Sequence, residues 1–194
     1  MNINKQQGFS LIEVLLAMAI SSLVCIAATA VFPRLFKQTH QSYIQYEIDR
    51  EIRQVLINME KDFRRIGYCS SASCQGEAIK IDAKFLSHHP NSCIIFAYDQ
   101  NLSGSWRPVR ARSKESDFFG YRLNGHKLES NRNVEDCDGK RWQSLFDPLR
   151  ISVNSLRFNW HEAESILEMY LSVESPNLPN KRFHYKTAVL LRNL

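Results

Sequence analysis

The sequence predicts an α+β protein in which a long N-terminal helix precedes an antiparallel β-sheet domain that contains disulfides. Three observations predict it: an apolar run that begins at Phe9, an amphipathic stripe that continues to Ile66, and a remainder of strand-like segments with four cysteines. About 130 residues follow Ile66, enough for one domain with its own core. No internal repeat indicates a second domain, so one domain on one helix is the simplest partition.

The apolar run extends to Phe32 and contains one charged residue, Glu13. A helix from Leu11 to Phe32 would be roughly 33 Å long, which is enough to cross the hydrocarbon core of a bilayer. A cleaved secretory signal has a shorter, uncharged apolar core of about 7–15 residues. A plain membrane anchor fits the length, but it leaves a carboxylate in hydrocarbon at a cost of about 2.5–3.5 kcal/mol. Neither alternative explains Glu13.

The helix is expected to continue past the apolar run. Pro33 removes a backbone donor and crowds the preceding turn, so it predicts a kink or local unwinding rather than an end. Beyond it, apolar residues recur at helical spacing and predict a face that packs on a core. These residues are Ile48, Ile52, Val55, Leu56, Met59, Phe63 and Ile66. Gly67, which follows Arg64 and Arg65, is a natural helix stop.

The segments after Gly67 are typical of β-strands, because β-branched and aromatic residues occur between clusters of turn-forming residues. The candidate strands are residues 78–82, 92–99, 117–123, 127–131, 149–160, 166–175 and 182–191. Asn124-Gly125 lies between two of them and predicts a tight hairpin.

Cysteine usage predicts an oxidising compartment. Cys25 lies in the apolar run, whereas Cys69, Cys74, Cys93 and Cys137 follow the helix, an even number that is consistent with two disulfides. Four cysteines permit three pairings, and the closeness of the first two in sequence favours Cys69–Cys74 together with Cys93–Cys137. Zinc binding is the alternative, but one Cys-x4-Cys pair followed by widely spaced single cysteines matches zinc-site spacing poorly.

The segment Gly8-Phe9-Ser10-Leu11-Ile12-Glu13-Val14 resembles, without a gap, the N-terminal signal of type IV pilins and type II secretion pseudopilins. In that family, prepilin peptidase cuts after the glycine on the cytoplasmic side and methylates the new N-terminus. The resemblance therefore implies cleavage after Gly8 and N-methylation of Phe9. It also implies a type IV pilin-like fold with a leader peptide (1–8), a long helix (9–66) and a periplasmic β-rich domain (67–194). Within the helix, residues 9–32 would form the transmembrane stem and residues 33–66 the amphipathic half.

The resemblance also implies a role for Glu13. After cleavage it would be the fifth residue, one helical turn from the cationic amine of Phe9. Its carboxylate would form an assembly salt bridge with the amine of a neighbouring subunit inside the membrane, and the pair would set the axial register. Gly8 lacks a side chain, which suits a peptide bond that must enter a protease site in extended form. The expected location is the inner membrane, single-pass with the C-terminal domain in the periplasm, and then a pilus or pseudopilus.

Five further blocks of sequence resemble the prepilin-peptidase-dependent protein B group, which is similar to minor pilins of the W type and to the J-type pseudopilins of type II secretion. These blocks are residues 65–69, 76–77, 93–99, 115–123 and 137–142. Together with the N-terminal signal they cover the chain from Gly8 to about Trp142. The residues after Trp142 carry no block that matches.

The resemblance implies a minor pilin subunit that takes part in initiation and assembly of a type IV pilus, at its tip. Implied partners are prepilin peptidase, sister minor pilins, the major pilin and the inner membrane. One alternative is a minor pseudopilin of a type II secretion system. Another is a tip-displayed module that binds DNA or a surface through a basic patch of Trp106, Arg107, Arg110 and Arg112. The net charge of +5 favours this patch only mildly, because a solvated basic face is more common.

No sequence motif predicts an enzyme, a cofactor or a metal site. The chain lacks a Gly-x-Ser-x-Gly elbow, a phosphate-binding glycine loop and a His-Glu-x-x-His pair. The segment from Asp99 to Gly104 resembles the start of a calcium loop, yet position twelve is Arg110 rather than a bidentate glutamate. A polar hairpin turn is therefore expected there, and we expect neither a catalytic site nor a bound metal.

Overall fold

The computed structural model describes residues 8–72, 74–82, 90–107, 116–179 and 181–194. Within them lie one long helix, α1 (Leu11–Phe63), a 3₁₀ turn (Glu162–Glu164) and eight strands. The strands are β1 (Ile79–Ile81), β2 (Cys93–Ala97), β3 (Phe118–Asn124), β4 (Lys127–Arg132), β5 (Gln143–Ser144), β6 (Ser152–His161), β7 (Ile166–Glu174) and β8 (Arg182–Leu190). The chain divides into two compact units, Met1–Gln45 and Tyr46–Leu194.

In the first unit, the described residues up to position 43 are all exposed, although most of those before Pro33 are apolar. α1 runs through Pro33 without a break, so the expected continuation of the helix is confirmed. The local unwinding predicted at Pro33 is not seen. One proline removes a single N–H donor, and the helical turns on both sides hold the backbone in register.

In the second unit, α1 buries the predicted stripe. Its buried residues are Ile48, Ile52, Leu56, Met59 and Phe63, and Val55 is half-buried. The helix ends at Phe63, a little before the predicted end at Ile66. The next residues tighten into a 3₁₀-like turn in which the Arg65 N–H donates to the Asp62 carbonyl at 3.0 Å. Ile66 remains buried in that turn.

The strands form two antiparallel sheets. The first has the order β1-β2-β3-β4-β5, and the second has the order β6-β7-β8. All seven predicted strands are present with small shifts at their ends, and the fold class is confirmed. The short strand β5 was not predicted. Residues 149–151 were predicted as strand but precede β6 in a turn, where Leu149 is 81% exposed. The β3–β4 hairpin pairs Asn124 with Lys127, so its two turn residues are Gly125 and His126.

Phe63 is the centre of the core. Its ring packs edge-to-face on rings from both sheets, with centroid distances of 5.7 Å to Phe96 on β2, 5.8 Å to Tyr121 on β3 and 6.0 Å to Phe158 on β6. Each of these strands also buries apolar residues. One aromatic residue at the end of α1 therefore joins the helix to both sheets.

Candidate functional site: the N-terminal segment and the loops of the β-domain

The N-terminal segment lies in the first unit and is open to solvent. Apart from its chain neighbours, no described residue has an atom within 4 Å of the position that a Cβ on Gly8 would take, and Phe9 is 89% exposed. Because α1 begins at Leu11, the Gly8–Phe9 peptide bond precedes the helix. A bond outside regular structure and free of packing can enter a protease site without unfolding its surroundings.

Glu13 lies in the first turn of α1, and its Oε2 accepts a hydrogen bond from the Ser10 backbone N–H at 3.0 Å. Ser10 directly precedes the first helical residue, so this bond is one half of a capping box. The Ser-x-x-Glu spacing before an apolar run signals such a cap, and the predictions above did not include it. Glu13 therefore stabilises the first turn of α1 and lies at the positive end of the helix dipole.

The apolar surface of α1 needs a partner that is not water. Among the residues described, α1 is the one helix long and apolar enough to cross a membrane, and none of its apolar window is buried. Its hydroxyl groups donate to carbonyls of the preceding turn, so they need no water. These bonds run from Ser21 to Met18, from Ser22 to Ala19 and from Thr29 to Cys25. An exposed apolar surface of this extent marks a contact with a membrane or with other proteins.

Both disulfides favoured from the sequence are present in the structure: Cys69–Cys74 and Cys93–Cys137. The second joins the start of β2 to the loop after β4 and is buried together with Ile95 and Val134. Trp142 packs against this cluster. The first closes a short loop just after the turn that follows α1.

Asp99 organises the loop between β2 and β3. The side chain is 2% exposed, and its Oδ2 accepts hydrogen bonds from the Ser70 hydroxyl at 2.5 Å and the Gly104 N–H at 2.8 Å, while Oδ1 accepts from the Ser103 N–H at 2.8 Å. Burial alone would raise the pKa of Asp99, but these bonds outweigh it and lower the pKa to about 2. Asp99 also lies near Cys69 and Cys74, whose sulfurs are bonded to each other. The Asp99 carboxylate therefore stabilises the polar turn in the loop between β2 and β3.

Two residues of the predicted basic patch, Trp106 and Arg107, belong to the same loop. The Trp106 indole N–H donates to the Tyr68 carbonyl at 3.0 Å, and the Arg107 backbone N–H donates to the buried Asp117 carboxylate at 2.9 Å. Trp106 is half-buried, and its ring lies 3.7 Å from the place of a Cβ on Gly76. Both residues therefore have structural contacts in this loop. Arg110 and Arg112 lie outside the described residues.

Carboxylates of the second half of α1 bind hydroxyl groups of the sheets, which the sequence patterns did not indicate. Asp62 accepts from the Tyr121 hydroxyl at 2.6 Å, and Asp49 accepts from the Tyr185 hydroxyl at 2.6 Å. The hydrogen bond from Arg53, followed by that from Tyr185, lowers the pKa of Asp49. Burial, followed by the charge of Asp62, raises the pKa of Tyr121. The helix is thus joined to β3 and β8 by charge-assisted hydrogen bonds as well as by its apolar stripe.

A family profile described as prepilin peptidase-dependent protein B matches residues 41–191. The chain belongs to this family. A second profile, the prokaryotic N-terminal methylation motif, matches residues 3–29. The family match continues through β6, β7 and β8, so the similarity extends well beyond Trp142, where the blocks recognised in the sequence end. A member of this family that carries the methylation motif is a pilin-like structural component of a pilus or pseudopilus.

One curated relative carries the same description as the family. Prepilin peptidase-dependent protein B of Escherichia coli (strain K12) is 35% identical over 153 residues, which cover 79% of this chain and 77% of that protein. An uncharacterized protein of Haemophilus influenzae is 24% identical over an alignment of 193 residues, with 77% of this chain and 81% of that protein covered. Among solved structures, a type IV-like pilin from Thermus thermophilus aligns with a TM-score of 0.49 at 13% identity, over 76% of this chain and 98% of that chain.

Proposed function

We propose that this protein is a minor pilin that takes part in the initiation and assembly of a type IV pilus, at the tip of the fibre. The observation that carries the proposal is the arrangement at the N-terminus. An unpacked Gly8–Phe9 bond stands immediately before a solvent-exposed apolar helix whose first turn contains Glu13. This arrangement supports cleavage by prepilin peptidase after Gly8, N-methylation of Phe9, and insertion of residues 9–32 in the inner membrane with the domain in the periplasm.

Processing would change the partner of Glu13. Before cleavage the carboxylate accepts the Ser10 N–H at 3.0 Å. Cleavage after Gly8 creates a cationic amine at Phe9 on every subunit, and in hydrocarbon a carboxylate gains far more from a cation than from one backbone donor. The proposed salt bridge joins Glu13 of an incoming subunit to the amine of a sister minor pilin or of the major pilin. It would set the register at which the helices stack.

The N-terminus of the mature protein tests the first step. Intact-mass and peptide mass spectrometry of the protein from its native host is expected to give a chain that begins at N-methylated Phe9. A Gly8→Leu variant, which places a bulky side chain at the cleavage site, is expected to retain the leader. A mature chain that begins near Thr29 or Val31 would instead identify an ordinary secretory signal and overturn the proposal.

The role of Glu13 is tested by Glu13→Gln, which removes the charge and keeps the size of the side chain. We expect normal processing and membrane insertion but loss of incorporation into the fibre, measured by immunoblotting of sheared pili. Glu164→Gln, an exposed carboxylate in the 3₁₀ turn, is the matched control and is expected to be incorporated normally. Normal incorporation of Glu13→Gln would disprove the salt bridge.

A minor pseudopilin of a type II secretion system is the second candidate function, supported by the similarity of the family to both classes of subunit. Deletion of the gene distinguishes the two. Loss of surface pili with normal secretion supports the pilus role, whereas intact pili with trapped exoproteins assigns the protein to secretion.

Binding of DNA or a surface by Trp106, Arg107, Arg110 and Arg112 stays a prediction of the sequence. Retention of the full chain on immobilised DNA at low salt, lost when Arg110 and Arg112 are replaced by alanine, would support it. No retention at low salt would exclude it.

A further inference from the structure

β8 forms an open edge of the second sheet, whose order is β6-β7-β8. It pairs with β7 in a continuous register from Ile166 opposite Leu190 to Glu174 opposite Arg182, without a bulge. Within the described part of the chain, no strand pairs with the other side of β8. A strand edge of this length presents a row of unpaired backbone N–H and C=O groups, which is a template for pairing with another strand.

The alternation of hydrogen-bonded positions along β8 identifies the backbone groups that face this edge. The Leu191 N–H donates to the Ser165 carbonyl at 2.8 Å, and in an antiparallel pair hydrogen-bonded positions alternate with non-bonded ones. Positions 183, 185, 187 and 189 of β8 therefore bond to β7. The residues whose N–H and C=O groups point outward are Arg182, His184, Lys186, Ala188 and Leu190.

The other strand edges are short or occupied. β1 and β5, at the two ends of the first sheet, contain three and two residues. The outer side of β6 is bonded to loops: the Phe158 N–H donates to the Asn91 carbonyl at 2.8 Å, and the Val153 N–H donates to the His126 carbonyl at 2.9 Å. Among the described strands, β8 is thus the one that combines nine residues with an open edge.

We propose that the open edge of β8 binds an extended, acidic strand of a partner protein by β-strand addition, in which main-chain hydrogen bonds supply affinity and side-chain pockets supply selectivity. Arg182, His184 and Lys186 are exposed at successive outward positions. At the far end of the strand, a groove of about 370 Å³ is lined by Arg64, Ala188, Val189, Leu190 and Arg192.

The charges of the edge select the partner. Lys186 forms an ion pair with Glu168 at 2.8 Å, and Arg182 forms one with Glu174 at 3.6 Å. Both glutamates lie on β7, so the ion pairs hold the two cations beside the edge. Arg64 and Arg192 add positive charge at the groove, whose exposed Leu190 can contact an apolar side chain of the partner. A strand with carboxylates at alternate positions therefore matches the edge better than a neutral or basic strand.

The same charges disfavour a second copy of this chain. In the antiparallel pairing of greatest overlap, Lys186 would lie directly opposite Lys186 of the second copy. Like charges at directly opposed positions are destabilising. Lysine on an open edge is also a known protection against edge-to-edge association, so pairing between identical chains is disfavoured.

The proposal is tested with the full chain in non-ionic detergent micelles and a blocked nine-residue peptide that alternates valine and glutamate. Amide hydrogen exchange reports the outward N–H groups of β8. We expect the exchange of the His184, Lys186 and Ala188 amides to slow about tenfold or more when the acidic peptide is added. A peptide with lysine in place of glutamate is expected to have no effect. Unchanged exchange at millimolar acidic peptide would overturn the proposal.

Matched variants at one position separate strand addition from other modes of binding. Ala188→Pro removes one outward N–H without removing a bond to β7, and Ala188→Val keeps that N–H. We expect the proline variant to bind the acidic peptide about fivefold to tenfold more weakly, as for the loss of one hydrogen bond, and the valine variant to bind as the parent does. Equal binding by the two variants would exclude strand addition.

A carboxylate introduced at the edge covers the case in which Ala188→Pro does not fold. His184→Glu keeps the backbone donor, and it is expected to weaken binding of the acidic peptide and to allow binding of the basic one. Equal binding to both peptides would exclude selection by charge. A dimer of the parent chain in sedimentation that Ala188→Pro converts to monomer would make a second copy the occupant and overturn the acidic partner.

Discussion

Gly67 follows α1 in the left-handed region, with φ of +81°, and the end of the chain closes over it. A Cβ at this position would lie 2.6 Å from the Asn193 carbonyl oxygen and 2.6 Å from Leu194 Cδ2. The Gly67 N–H donates to the Ala97 carbonyl at 2.9 Å, so the backbone cannot easily move away. Both the backbone conformation and the close approach of the C-terminus therefore require glycine.

Gly67→Ala is expected to lower the free energy of unfolding by about 2–4 kcal/mol, the sum of backbone strain and overpacking. Gly125→Ala is the matched control, because Gly125 also has a positive φ, +59°, but no atom of the described residues beyond its chain neighbours lies within 4 Å of its Cβ position. The control is expected to lose about 1 kcal/mol. Urea denaturation of the purified chains measures both. Equal losses would show that the contact with Asn193 and Leu194 contributes nothing.

Asp99 makes stability depend on pH. Its pKa falls from 3.8 to about 2 on folding, so its carboxylate stabilises the fold fully above the unfolded value and ceases to do so as the pH falls through the folded value. We expect the unfolding midpoint in urea to drop between pH 3.8 and about 2 more steeply for the parent than for Asp99→Asn. Parallel curves for the two proteins would contradict this assignment.

At the scale of the elements, the end of α1 is held to the first sheet by Phe63 and by Asp62. The Asp62 carboxylate accepts a hydrogen bond from the Tyr121 hydroxyl at 2.6 Å and another from the Tyr98 hydroxyl at 3.5 Å. The same helix is held to β8 by Asp49, whose carboxylate accepts a hydrogen bond from the Tyr185 hydroxyl at 2.6 Å. The apolar stripe of α1 and these polar contacts at its margins therefore join the helix to both sheets.

Tyr121→Phe is expected to cost about 2 kcal/mol of unfolding free energy, because it removes a short, buried bond to a charged acceptor. Tyr98→Phe removes a hydroxyl from the other oxygen of the same carboxylate at 3.5 Å, and it is expected to cost less than about 1 kcal/mol. Chemical denaturation measures the two variants side by side. A loss for Tyr98→Phe as large as that for Tyr121→Phe would contradict the ranking by distance.

At the scale of the whole molecule, the two compact units differ in what stabilises them. The buried hydrophobic residues of the described chain all lie between Ile48 and Leu191, within the second unit. The described part of the first unit has an exposed apolar helix and no buried side chain before position 48. The first unit is therefore suited to a membrane or to a fibre, and the second to independent folding in water.

A chain that begins at Tyr46 is expected to be soluble without detergent, to keep the β-sheet circular dichroism of the full chain, and to leave the membrane fraction. The reason is that it retains the entire core and both disulfides and loses the exposed apolar surface. The full chain, fractionated in parallel, is the control and is expected in the membrane pellet. Aggregation of the shortened chain would show that the first unit contributes to folding.

Much of this architecture could be predicted because its signals are local. The helical stripe from Ile48 to Phe63 and the alternating strands follow from spacing within a few residues, and the even number of cysteines after the helix is a simple count. The missed features are those that join distant residues. Asp62 meets Tyr121 and Asp49 meets Tyr185 across 59 and 136 positions of sequence, and no periodicity records such contacts. The two-residue strand β5 is too short to produce a pattern at all.

The long helix, its apolar first half, the segment from Gly8 to Glu13 and the strand-rich remainder with four cysteines could all be read from the sequence, because each is specified by consecutive residues or by short-range spacing. Other features arise only from the packing of distant segments. That packing placed Asp99 and Trp106 in a common loop, put the cysteines within bonding distance, and left β8 as an open edge. Those outcomes depend on which elements become neighbours. Burial and the alternation of hydrogen-bonded strand positions are set only when the sheets pair and pack on the helix.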